Sequence, residues 1–175
     1  MNQAHLHLAL NHLPIVFPMV GALVLIAALL LKSAAMKRTA YGIFAAGAVL
    51  TMPAFFTGEG AEEVVEELQG ISETLISNHE ETAKQFALLS YALGATSLLA
   101  LWANWKRKRF APASSFIVLL LSFVVLFFAK STGTSGGEIR HTEIRQGAVI
   151  DGNAENKEGG VENEGKGTKE KDDDD

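Results

Sequence analysis

The residues with the most chemistry to offer are five histidines, His5, His7, His12, His79 and His141, in a chain that contains no cysteine. Without thiols there are no disulfides, thiolate nucleophiles, Cys-ligated zinc sites, iron–sulfur clusters or haem attached through C-x-x-C-H. A metal ion or haem iron would have to be held by imidazole and carboxylate. The candidate ligands are His12, His79 and His141, with Glu59 and Glu138 as carboxylates that could orient a ligating ring through its second nitrogen. His5 and His7 read as solvent-facing, or as a weak adventitious metal site. For His12 and His79 the competing reading is an interfacial imidazole that bonds a neighbouring helix or water.

Familiar catalytic constellations are absent. The sequence has no G-x-S-x-G, H-E-x-x-H, Walker loop or G-x-G-x-x-G. Asn78-His79-Glu80-Glu81 opens like a zincin helix, but Ala83 stands where the second histidine would be. The chain therefore reads as an electron-transfer or accessory protein more than as a catalyst, and its enzyme status stays open.

The elements that must position these histidines follow from where charge is missing. Overall, 48% of the 175 residues are hydrophobic and the net charge is -5, totals that resemble a soluble domain. Yet all 35 charged residues fall outside four windows, 13–31, 39–58, 85–105 and 110–129. Each window has the ~20 apolar residues a helix needs to cross a bilayer. The fold class is all-α, a four-helix transmembrane bundle, which argues against a soluble enzyme and against a nucleic-acid partner. The spans themselves hold no Lys, Arg, Asp or Glu, so a transport path has little support.

Charge also orients the bundle. Lys32, Lys37 and Arg38 occupy the first connection and Lys106, Arg107, Lys108 and Arg109 the third, neither with an acid, while residues 59–84 hold eight Glu and one Lys. Basic short loops remain cytoplasmic, so both termini and the acidic connection belong outside. Residues 1–12 lack the basic stretch of a signal peptide, so the first segment is expected to be retained. All five histidines then lie on the outer side. Trp102 and Trp105 suit an aromatic belt at the inner interface, Lys106–Arg109 suits anionic lipid, and Pro112 suits the opening turn of the fourth helix.

Periodicity refines this. Residues 60–78 carry Val64, Val65, Leu68, Ile71, Leu75 and Ile76 at helical spacing against a Glu-rich face, which predicts an amphipathic outer helix between helices two and three, broken at Gly70. On helix three, His79 shares a stripe with Ala83, Phe86, Ser90, Gly94 and Ser97. Small residues mark the face where membrane helices pack, so His79 is expected to point into the bundle. His5 and His12 share a face if their stretch is helical, although Pro14 and Pro18 disturb the phase. Thr57-Gly58-Glu59-Gly60 is expected to end helix two, and Gly136-Gly137-Glu138-Ile139-Arg140-His141 to follow helix four, with glycines for sharp turns or close approach. Two regions result: a transmembrane domain over 1–150, and a tail over 151–175 so poor in apolar residues that it is expected to be disordered.

Taken in order, His7-x4-His12-Leu-Pro-Ile, Tyr41 before a Gly/Ala-rich helix ending in Thr57-Gly58, a histidine opening helix three, and Gly136-Gly137-Glu138 with His141 form a recognisable series. It resembles a domain-of-unknown-function family of small bacterial four-helix inner-membrane proteins, with an H-P-x-x-x-H-F-P-I opening and T-G-x-x-G-G after helix four. The likeness covers approximately residues 5–147. Leu8 replaces the family's frequent proline and Leu13 its phenylalanine. The resemblance implies a b-type-cytochrome-like or redox-associated protein, with His12, His79 and His141 as ligand-like residues. Two functions are thus expected. One is haem b or metal binding with single-electron transfer, with a periplasmic redox partner. The other is a cofactor-free scaffold or accessory subunit of a larger membrane complex, binding a partner protein on its outer face.

Overall fold

The computed structural model describes residues 2–66 and 71–145. Within them, five α-helices follow one another: α1 (Gln3–Leu10), α2 (Leu13–Leu30), α3 (Ala34–Glu66), α4 (Glu73–Trp105) and α5 (Ala111–Arg140), closed by a 3-10 turn at Thr142–Ile144. Among the described residues no strand occurs. Four helical stretches are long and apolar enough to cross a membrane, as the charge-free windows require.

The helices α2, α3, α4 and α5 run alternately up and down. Each packs on its chain neighbour, α2 also meets α5, and α1 lies on α3. The ring closes around Leu25, Tyr41, Phe44, Leu93, Val118 and Val125, all fully buried. Its outer surface is the reverse of a soluble protein's: Leu23, Val49, Leu99 and Leu120 are each about two-thirds exposed, which only lipid can accommodate over so many large side chains. Close packing uses the small-residue stripe. Gly94 meets Ala48 so tightly that a methyl group could not be added there, and Phe86, Ser90, Gly94 and Ser97 are all buried. Hydroxyls join the helices where water is absent: Tyr41 and Ser115 at 2.7 Å, and Thr51 and Ser90 at 2.9 Å.

Both basic connections are built alike. Lys32 and Arg107 take left-handed backbone angles, φ 52° and 49°. The N–H after each reaches back to a carbonyl in the last helical turn, Ser33 to Ala28 and Lys108 to Ala103. This cap satisfies carbonyls that a helix end leaves open, and the cations sit at the negative end of the helix dipole. The two short reversals make α2 antiparallel to α3 and α4 to α5, leaving α1, the end of α3, the start of α4 and the C-terminal end of α5 together at the opposite end.

Three expectations change in detail. The described residues of 60–78 belong to the long helices and not to a separate amphipathic one: 60–66 continue α3 and 73–78 open α4. The helices stay paired beyond the apolar windows, burying Ala61 and Ile76, so helical hydrogen bonding continues past the end of the apolar run. The expected break at Gly70 lies outside the described residues. Thr57-Gly58-Glu59-Gly60 does not end a helix, and α5 passes through Gly133, Gly136 and Gly137 to Arg140 without a turn. These glycines serve close approach, since in each case another helix or side chain lies against the missing Cβ. The tail expected to be disordered, 151–175, lies outside the described residues.

Candidate histidine site

The end of the bundle opposite the basic loops gathers its histidines unequally. His79, on the second turn of α4, is half-buried and faces α5. Its Nδ1 lies 3.1 Å from Ser135 Oγ. The Ser135 hydroxyl donates to the Thr132 carbonyl at 3.1 Å, and the Thr82 hydroxyl donates to the His79 carbonyl at 2.9 Å. With that proton committed, Ser135 Oγ accepts from His79 Nδ1–H, which leaves the lone pair on Nε2. Gly136 makes room for the ring, because a Cβ there would stand 2.9 Å from His79 Cε1.

His7 mirrors this arrangement from α1. Its Nδ1 is 3.0 Å from the Ala54 carbonyl oxygen on α3 and 3.4 Å from Thr57 Oγ1. A carbonyl only accepts, so Nδ1 carries the proton and Nε2 again keeps its lone pair. The Thr57 hydroxyl donates to the Pro53 carbonyl at 2.8 Å, and Gly58 lies beneath the ring, its missing Cβ 3.5 Å from Cε1. Asn11, one turn after His7, holds its Oδ1 in the interior without a hydrogen-bond partner.

Both rings lie beyond the charge-free windows, and both are pushed below the ordinary imidazole range. Burial is the main cause for each. For His79 the charge of nearby His7 adds to it, while the Thr132 carbonyl opposes it; for His7 the Ala54 carbonyl opposes it. Neutral imidazoles are the form that ligates a metal.

Of the five histidines, His7 and His79 are the two that the structure half-buries at this end of the bundle, His7 against α3 and His79 against α5. His12 is exposed at the start of α2, where it makes no side-chain cap bond. His141 is exposed beyond α5 and meets Glu143 at 2.8 Å; Glu143's own backbone N–H, and then His141, hold that carboxyl below its usual range. His5 is exposed. The oxygens that orient the two buried rings belong to Ala54 and Ser135; Glu59 and Glu138 bond neither ring. Among the described residues, no three of His, Cys, Asp and Glu gather as a metal-holding group. His7, expected to face solvent, is instead half-buried, because the prolines after it obscure helical phase. Its place at the head of the family-like opening pattern is the signal that could have singled it out.

Comparison with known families fits the architecture. The model of predicted membrane proteins designated DUF2231 matches residues 3–143. The chain belongs to that family. The DUF2231 match runs from α1 to the 3-10 turn and so takes in all five histidines and all four spans. No curated protein matches the chain. No solved structure matches it either.

Proposed function

We propose that this DUF2231 protein holds haem b, or else a metal ion, through imidazoles at the histidine-bearing end of its bundle and passes single electrons there. The observation that supports the reading is that His7 and His79 are held in the same way at one end of the bundle. They come from different helices, sit half-buried at one end, and each spends Nδ1–H on a fixed oxygen so that Nε2 is free to ligate. Two neutral imidazoles of this kind are a donor set that would hold haem iron or a metal ion. The unpartnered Asn11 Oδ1 beside His7 is a further polar atom that a bound group or its water would satisfy. Haem b, when bound, would supply one-electron chemistry. The chain's own part is to orient the rings through Ala54 and Ser135, with the Thr57, Thr82 and Thr132 hydroxyls tied into the surrounding hydrogen bonds. His12, exposed at the same end, and His141 are the alternative ligands.

The site is assigned to the periplasmic face of a bacterial inner membrane, with both termini outside, on the strength of the two basic loops. A second reading, a cofactor-free accessory subunit, draws on one observation. The extensions of α3 and α4 beyond the membrane carry Glu59, Glu62, Glu63, Glu66, Glu73, Glu80 and Glu81, with Lys84 already paired to Glu80. Burial, reinforced by Glu80 and Glu66, raises Glu62 above the usual carboxylate range. That surface suits a basic partner domain.

Absorbance separates the two. Detergent-purified protein with a Soret band and a reducible α-band, lost in both His7→Ala and His79→Ala but kept in His5→Ala, supports haem ligation by this pair. Loss of the band in His12→Ala with retention in His7→Ala would transfer the ligand role to His12. A colourless, metal-free protein would favour the accessory subunit.

A further inference from the structure

A groove between α4 and α5, which borders the His79 contact at Ser135 and opens away from it, is arranged in an order that matches a particular lipid. It has a volume of about 280 Å³ and is lined by Asn78, Phe127, Lys130, Ser131, Thr134, Ser135 and Glu138. Phe127, at 70% exposure, faces the hydrocarbon. Lys130 follows the last residue of the fourth charge-free window, so its ammonium stands where the bilayer core gives way to headgroups. Glu138 lies eight residues further along α5, about 12 Å toward solvent at helical rise. The hydroxyls of Ser131 and Thr134 fall between them.

Lys130 and Glu138 line one groove without forming an ion pair, and among the described residues Lys130 pairs with no carboxylate. Lys84, by contrast, is bound to Glu80. The Glu138 backbone carbonyl is taken by Arg145 Nε at 2.7 Å. Asn78 also borders a second, more open hollow of about 450 Å³ that is lined by Glu73, Thr74, Ser77 and Glu81. The groove therefore passes from an aromatic ring to a cation, then to hydroxyl donors, then to carboxylates as it leaves the membrane.

We infer that this groove binds the headgroup of a zwitterionic phospholipid that ends in a primary ammonium, of the phosphatidylethanolamine type. The acyl chains would lie along Phe127, the phosphate would meet Lys130 and the Ser131 and Thr134 hydroxyls, and the ammonium would donate to Glu138. An anionic lipid matches the cation and leaves the carboxylate opposed. A choline lipid carries the same charges but has no N–H to give Glu138, so charge-assisted hydrogen bonding favours the ethanolamine headgroup. The inference is independent of any cofactor.

The test is lipid binding by the full-length protein, stripped of lipid in detergent and titrated with mixed micelles containing phosphatidylethanolamine, phosphatidylcholine or phosphatidylglycerol. Binding is read by native mass spectrometry and by the shift in melting temperature. The expected result is a preference of about tenfold for the ethanolamine lipid over the choline lipid, the equivalent of one charge-assisted hydrogen bond. Lys130→Gln should weaken both, Lys130→Arg should restore them, and Glu138→Gln should abolish the preference while sparing phosphate-dependent binding. Tightest binding of phosphatidylglycerol would overturn the inference in favour of an anionic-lipid site. Equal binding of all three lipids, unchanged in the variants, or no binding at all, would also overturn it.

Discussion

His79 and Gly136 share a space that admits only one of two things, an imidazole or a β-carbon. The ring on α4 lies where an alanine on α5 would place its methyl group, 2.9 Å from Cε1. Gly136→Ala must therefore rotate the ring or part the helices. Overpacking of this kind costs about 1–3 kcal/mol. The expected outcome is a lower melting temperature in detergent, with an altered spectrum if His79 ligates iron. An unchanged melting curve would mean that the ring moves without resistance and is not held by Ser135.

The same two rings set a pH dependence. His7 and His79 are held below the ordinary imidazole value of about 6.5, chiefly by burial. A depressed value in the folded state means that the unfolded chain binds protons first as pH falls. Their contribution to stability is complete above that ordinary value and is lost progressively as pH drops through the folded values. Melting temperature should fall between pH 7 and pH 5, approximately the relevant window. The double variant His7→Gln/His79→Gln, which cannot titrate at these positions, should show a flatter profile, and an equally steep one would place the titration elsewhere.

In mid-membrane, Thr51 Oγ1 donates to the Gly47 carbonyl at 2.9 Å and lies 2.9 Å from Ser90 Oγ. Thr51→Val keeps the shape and removes the hydroxyl. The loss should be about 0.5–1.5 kcal/mol, the usual range for an interhelical bond in a membrane bundle. A double-mutant cycle with Ser90→Ala checks it. Strictly additive losses would show that the two hydroxyls do not interact.

At the basic end, Arg107 adopts φ 49°, a conformation that glycine enters without steric cost. Arg107→Gly should raise stability by about 0.5–1 kcal/mol. A thermal melt in detergent measures this. A decrease would mean that the cation's interaction with the helix terminus outweighs the relief of backbone strain.

Orientation is checked by fusion. Alkaline phosphatase at the C-terminus should be active and a fluorescent protein at the same place silent, because both basic loops lie at the end away from the histidines. The reverse pattern would move every histidine to the cytoplasmic side.

The sequence by itself determined the four spans and their alternation, because the bilayer excludes charge and the windows without charge are long enough to cross it. It also determined the inward face of α4. The run from His79 through Ser90, Gly94 and Ser97 is uninterrupted by proline, so helical phase carries from one end to the other. Only the tertiary structure decided which other imidazole is half-buried at the same end as His79. Pro14 lacks the N–H that would join α2 to α1, so residue phase cannot be carried back across the break at Asn11 and His12. Docking of α1 on α3 then turns His7 inward and leaves His12 exposed. Tertiary packing also decided where the helices end. Gly58, Gly60, Gly133 and Gly136 read locally as breaks, yet each lies against a side chain of another helix that fills the space of its missing Cβ. Those contacts favour the helical backbone at positions where glycine alone would favour none.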